Sequence, residues 1–135
     1  MKQVIVMRTD LKMRKGKMIA QGAHAAERIA HDYCESRQAL EVAAADPRQG
    51  ALMARFVQIY EQWVREGNTK IVVGADDEGA LEVILAQATE AGIAVASIID
   101  AGRTEFHGEE TWTCVAIGPD EDQRIDAVTG NLGLL

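Results

Sequence analysis

A chain of 135 residues, 47% hydrophobic, is long enough to bury a core without disulfide or metal staples and reads as one domain spanning 1–135. A formal net charge of −7 and a pI near 4.9 exclude a protein that coats polyanions through its overall charge. No apolar run reaches the length of a membrane span and the N-terminus lacks a signal peptide's apolar core, so the expectation is a cytoplasmic protein with no membrane partner.

Gln3-Val-Ile-Val-Met7 is a nearly continuous apolar run, the pattern of a strand covered on both faces. The acidic chain then gathers five of its fourteen basic residues into ten positions: Arg8, Lys12, Arg14, Lys15 and Lys17. Such a run is often a solvated turn, but it also creates a local field that draws phosphate, nucleotide or RNA backbone. Gly16 ends the loop, and the spacing predicts a helix over 17–35 with an apolar stripe of Met18, Gly22, Ala25, Ala26, Ile29 and Tyr33. Lys17, Gln21, His24, Arg28 and His31 recur four or three apart and are expected on its polar face. The helix N-terminus itself offers unpaired N–H groups to an anion there.

The Ala-rich segment 36–46 reads either as helix or as a long connection. Asp46-Pro47 then opens a second helix, with Asp46 as N-cap and Leu52, Phe56, Ile59 and Trp63 on one face, closed by Gly67-Asn68. Thr69–Val73 is a second buried strand. A third helix starts at Asp76 or Asp77, buries Leu81, Ile84, Leu85 and Ala88, and stops at Gly92. Residues 93–99 and 111–117 form two more strands, too close for a crossover helix and therefore antiparallel. Pro119 is expected to open a terminal helix running to Val128. The order β-α-α-β-α-β-β-α predicts an α/β fold, a four-stranded mixed sheet sandwiched between helices.

A second polar cluster, Asp100-Ala-Gly-Arg-Thr104, ends the third strand, where ligands gather in α/β sheets. A plain turn is an equal reading of it. Cys34 and Cys114 read as buried or reduced thiols, and with His24, His31 and His107 they form no compact zinc ligand set.

Three blocks carry a resemblance across nearly the whole chain. They are Lys2-Gln-Val-Ile-Val with Arg8-Thr-Asp-Leu-Lys12-Met, Lys15-Gly-Lys17 and Gln21-Gly-Ala-His24; Asp100-Ala-Gly-Arg-Thr104-Glu; and Thr113-Cys-Val-Ala-Ile-Gly-Pro119 with Ile125 to Leu135. Together they resemble the second, archaeal- and eukaryotic-type family of peptidyl-tRNA hydrolases. The resemblance implies hydrolysis of the ester between peptide and the terminal ribose of tRNA, which recycles tRNA for translation, and often a homodimer. It implies no metal or organic cofactor. It carries Lys17, Asp100, Thr104 and Thr113 over as catalytic positions, with Gln21 and His24 beside them. Arg8, Lys12, Arg14, Lys15 and Arg103 complete the expected contacts to tRNA. The chain departs from the family pattern at Arg14, where glycine is frequent, and at Gly22, where cysteine is. The 33–52 connection is longer than usual, and the longer 104–113 loop leaves Thr111 as a rival to Thr113.

Without a Gly-x-Ser-x-Gly elbow or a Cys/His pair, direct attack by water is the expected chemistry. Asp100 would orient or deprotonate it, and Lys17 would hold the oxyanion or a phosphate. Two competing readings remain at this stage: a binding module that kept the fold, and a hydrolase of another ester.

Overall fold

The computed structural model describes residues 1–42 and 47–135, so the expected N-cap at Asp46 lies outside the described residues. Its elements are β1 (Lys2–Arg8), α1 (Lys15–Glu41), α2 (Pro47–Arg65), β2 (Lys70–Ala75), α3 (Glu78–Glu90), β3 (Val95–Asp100), β4 (Thr111–Asp120) and α4 (Asp122–Thr129). The order is the expected one. The strands lie β2-β1-β4-β3, with β1–β2 parallel and both pairs involving β4 antiparallel.

Alternation along the two central strands explains the layering. Val4 and Val6 of β1 and Val115 and Ile117 of β4 face Leu81, Ile84 and Ala88 of α3 and Ile125 of α4. Ile5, Met7, Cys114 and Ala116 face the other way, onto Ala25 and Ile29 of α1 and Phe56 and Tyr60 of α2. Strands buried on both sides need apolar residues at every position, which is why β1 reads as an unbroken apolar run.

Caps set several boundaries. Asp77 accepts from the Ala80 amide at 2.8 Å and starts α3. Gly67 and Asn68, at φ 105 and 63, close α2, and the Asn68 amide bonds back to the Trp63 carbonyl. Ile93 spends its N–H on Ala88 while Gly92 turns at φ 69, so β3 begins at Val95 rather than at 93.

Three other expectations need correction. The first helix continues to Glu41, so most of the connection is helix. Pro119 does not open the last helix. It lies within β4, at the irregularity where Lys2 pairs with Asp120 and Val4 with Ile117, a place that tolerates a residue without N–H. Leu52, expected on the buried face of α2, is 59% exposed, while Ile59 and Trp63 carry that face inward.

Below the sheet's other end, Asp120 is 1% exposed and receives both terminal nitrogens of Arg55, at 2.9 and 2.7 Å. Arg124 approaches the same carboxylate at 3.3 Å.

Candidate active site

Lys17 on the first turn of α1 and Asp100 at the end of β3 meet, as their elements end at one rim of the sheet. The ammonium lies 2.5 Å from Asp100 Oδ1 and donates to Thr104 Oγ1 at 3.1 Å, with the Phe106 ring 5.6 Å away. Gln21 Nε2 reaches the same Oδ1 at 3.1 Å, and the Gly102 amide donates to Oδ2 at 2.9 Å. Gly102 sits at φ 75, and a Cβ there would come within 2.7 Å of the Glu109 nitrogen, so the loop needs glycine to bring its amide to the carboxylate.

Burial raises the Asp100 carboxyl, but the Lys17 hydrogen bond, the Gly102 amide, the Lys17 charge and Gln21 outweigh it. The net direction is below the ordinary carboxylate value, so Asp100 is an anion at neutral pH.

Gln21 corrects the reading of α1's polar face. It is 2% exposed, on the line that continues through Ala25 and Ile29, whereas His24, Arg28 and His31 are exposed. Its Oε1 accepts from the Thr113 hydroxyl at 2.6 Å, and that hydroxyl also lies 3.2 Å from the Ile98 carbonyl. Thr113 is fully buried, and among the described residues Gln21 is what links it to Asp100. Thr111, its rival, bonds to the Glu109 carbonyl and does not join this network.

The expected basic residues divide. Arg8 is not part of the cationic surface: its side chain is 10% exposed and is spent on Asp10, Glu78 and the Trp112 carbonyl, tying β1 to α3 and β4. Arg14 is exposed but paired with Glu105 at 2.8 Å, which links the basic loop to the loop after β3. Lys12, Lys15 and Arg103 are exposed and form no ion pair among the described residues. An open cavity of about 620 Å³ is walled by Arg14, Lys17, Gln21, His24, Asp100 and Thr104.

Neither thiol belongs to this cavity's wall. Cys34 is exposed, and burial pushes the Cys114 thiol up to about 11. The metal-type side chains that converge among the described residues are His31, Asp32 and Glu35, on a later turn of α1. They are partly engaged, Asp32 with Arg28 and Glu35 with His31.

A sheet-rim carboxylate held by an ammonium, an amide and a glycine N–H, beside an exposed basic loop, defines a site suited to polar chemistry on an anionic substrate. A family model described as Peptidyl-tRNA hydrolase PTH2 matches residues 1–135. Among similar proteins, the peptidyl-tRNA hydrolase of Methanocaldococcus jannaschii is 38% identical over 135 residues, covering all of both chains. That of Thermococcus onnurineus is 39% identical over 134 residues, covering 99% of this chain and 97% of its own. The mitochondrial peptidyl-tRNA hydrolase 2 of Mus musculus is 38% identical over 133 residues, 98% of this chain and 62% of the mouse protein. The chain belongs to the PTH2 family of peptidyl-tRNA hydrolases.

Proposed function

We propose that this chain hydrolyses the ester between a peptide and the terminal ribose of tRNA, with Asp100 orienting the water and Lys17 stabilising the oxygen that gains charge. The observation that carries this division is the count of hydrogen bonds. A carboxylate has about four acceptor positions. Lys17, Gln21 and Gly102 take three, which leaves one on Oδ2 for a water. An ammonium has three donors; Asp100 and Thr104 take two, which leaves one for a carbonyl oxygen or phosphate. The Thr104 hydroxyl, accepting from Lys17, keeps its own proton to donate to substrate.

The water oxygen bonds to the carbonyl carbon, and the bond from that carbon to the ribose oxygen breaks. The displaced ribose oxygen takes a proton from the water, yielding a peptide acid and a tRNA hydroxyl. A carboxylate held below its ordinary pKa is a poor base, which supports orientation over full deprotonation. Gln21 and Thr113 are positioning residues that hold the Asp100 side chain from behind. His24, on the exposed face, contacts the substrate at the cavity wall. Lys12, Lys15 and Arg103 supply phosphate contacts, and Arg14 adds to them once it releases Glu105.

The protein should release tRNA from N-acetyl-aminoacyl-tRNA in buffer containing a chelator, and far more slowly from free aminoacyl-tRNA. Loss of turnover on chelation, restored by added metal, would show a metal requirement. Lys12→Ala with Lys15→Ala should raise KM and flatten its salt dependence with kcat little changed, because phosphate contacts act equally in ground and transition states. An unchanged salt slope would leave the loop a solvated turn.

The reading includes a homodimer in the cytoplasm. An exposed free thiol at Cys34 suits a reducing compartment. Ile19, Val72 and Leu135 border an apolar hollow between α1 and the edge strand β2, with Leu134 77% exposed beside it, the kind of patch a second copy covers. Sedimentation equilibrium should give twice the chain mass, and Ile19→Asp should return it to the monomer mass.

A further inference from the structure

The ester's two halves must leave the site in different directions, and the basic loop accounts for only one of them. On the opposite side of Asp100 a second cavity of about 590 Å³ runs between α1 and β3. It shares Gln21, His24 and Asp100 with the first. Every residue from 95 to 101 lines it. Side chains on a strand alternate between faces, so a cleft touched by all of them is walled by the strand's edge, not by one face. Indeed β3 is the outermost strand on this side. The Gly118 amide bonds to the Ala94 carbonyl, so Ala94 faces β4, and alternation turns the amide and carbonyl of Val95 and Ser97 outward.

Two lengths agree. From Gln21 to Asp32 along α1, and from Asp100 back to Val95 along β3, the cleft measures roughly 16 Å by helical rise and by strand rise alike. That is room for about five extended residues. At its far end the cleft shares Asp32 and Val95 with a third hollow of about 320 Å³, lined by Leu52, Met53, Phe56 and Ile93. The path therefore begins at the charged pair, continues along outward-facing backbone that pairs with nothing among the described residues, and ends on apolar side chains.

We propose that this groove holds the peptide half of the substrate as an extended strand added to the edge of β3, its residues numbered back from the ester toward Asp32 and Leu52. The assignment rests on the hydrolase reading above. Continuity with Asp100 selects the occupant, because the peptide is covalently tied to the ester and the basic side suits the tRNA. Main-chain pairing suits a substrate whose peptide has no fixed sequence, since every residue supplies the same N–H and C=O. The exposed Leu52, which no core contact explains, becomes a contact for the peptide's distal residues.

The test compares N-acetyl-aminoacyl-tRNA with a hexapeptidyl-tRNA. Ser97→Pro removes one outward donor from an edge position that tolerates proline, and Leu52→Glu charges the apolar end. Each should raise KM for the hexapeptidyl substrate about tenfold, the scale of one lost hydrogen bond or apolar contact, and leave the short substrate within about twofold. Equal change on both substrates, or none on either, overturns the groove. If the wild type turns over neither substrate, the hydrolase reading fails instead. The groove is then decided by amide shifts of Val95 and Ser97 on adding a free Ala-rich hexapeptide: movement upholds it, and silence overturns it.

Discussion

Asp100→Asn should cut kcat by about 10²-fold or more while the protein remains folded, the scale of a lost charge-stabilising or proton-handling group. Asparagine keeps the shape and can still accept from Gly102, but it loses the charge that holds Lys17 at 2.5 Å and the strong acceptor for water. Lys17→Ala should fall by a similar factor, and the double variant should be scarcely worse than either, because a pair that works as a unit is not additive. The pH dependence separates their roles. With its pKa held below the ordinary carboxylate value, Asp100 loses its charge only at more acid pH than a free carboxylate does, so it contributes no acid limb near neutrality. Lys17→Ala removes the hydrogen bond and charge that lower the pKa, so the residual activity should acquire an acid limb at higher pH. Near-wild-type kcat in Asp100→Asn would remove this residue from the reaction. Parallel loss of activity and thermal stability would make the pair a structural ion pair only.

The largest stability effect should come from the other end of β4. Asp120→Ala leaves Arg55 and Arg124 facing a site built for a carboxylate. Removing one member of a buried pair costs 3–5 kcal/mol, and because both arginines are more than a third exposed the lower end applies, about 3 kcal/mol. For a domain of this size that lowers Tm by about 10 °C. Burial raises the Asp120 carboxyl, but the Arg55 hydrogen bond, the Glu121 amide and the charges of Arg55 and Arg124 bring it below its ordinary value. Its folded pKa is therefore depressed. Its stabilisation is present above about pH 3.9 and is lost as pH falls through the folded value. Thermal melts from pH 7 down to pH 2 should show the wild type converging on Asp120→Ala as the solution becomes acid. A constant gap across that range would mean the loss is packing rather than charge.

The elements were legible where one physical signal dominated. Gln3 to Met7 reads as a doubly covered strand because nothing polar interrupts Val4 to Met7 after Gln3, and Asp77 and Gly92 mark helix ends through chemistry local to the chain. Misreadings came where distant partners decide. Pro119 looks like a helix opener until β1 supplies the irregular pairing that shelters it. Leu52 fits an apolar stripe, yet it stays 59% exposed at the edge of the hollow beside Gly92. In the site, Lys17 with Asp100 and Thr104 could be anticipated from family motifs, and the structure brings the three together. Arg8 could not be told from its basic neighbours: Asp10 lies beside it in the chain, but Glu78 and the Trp112 carbonyl, which draw its side chain inward, are seventy and 104 positions away. Gln21 looked solvated because its type is polar; its four-residue spacing to Ala25 and Ile29 was the available sign of burial.

That buried amide also dictates which way protons can travel. Asp100 as an anion only accepts, so Gln21 must turn its NH₂ toward it and its oxygen toward Thr113. Thr113 must then donate. The chain of hydrogen bonds has one polarity, running from the interior to the carboxylate, and it cannot reverse without an ionised Asp100 facing the Gln21 carbonyl. The protein interior therefore offers Asp100 no exit for a proton. Any proton it gains or sheds during turnover must cross the open side of the cavity, to water, to Lys17 or to the substrate itself.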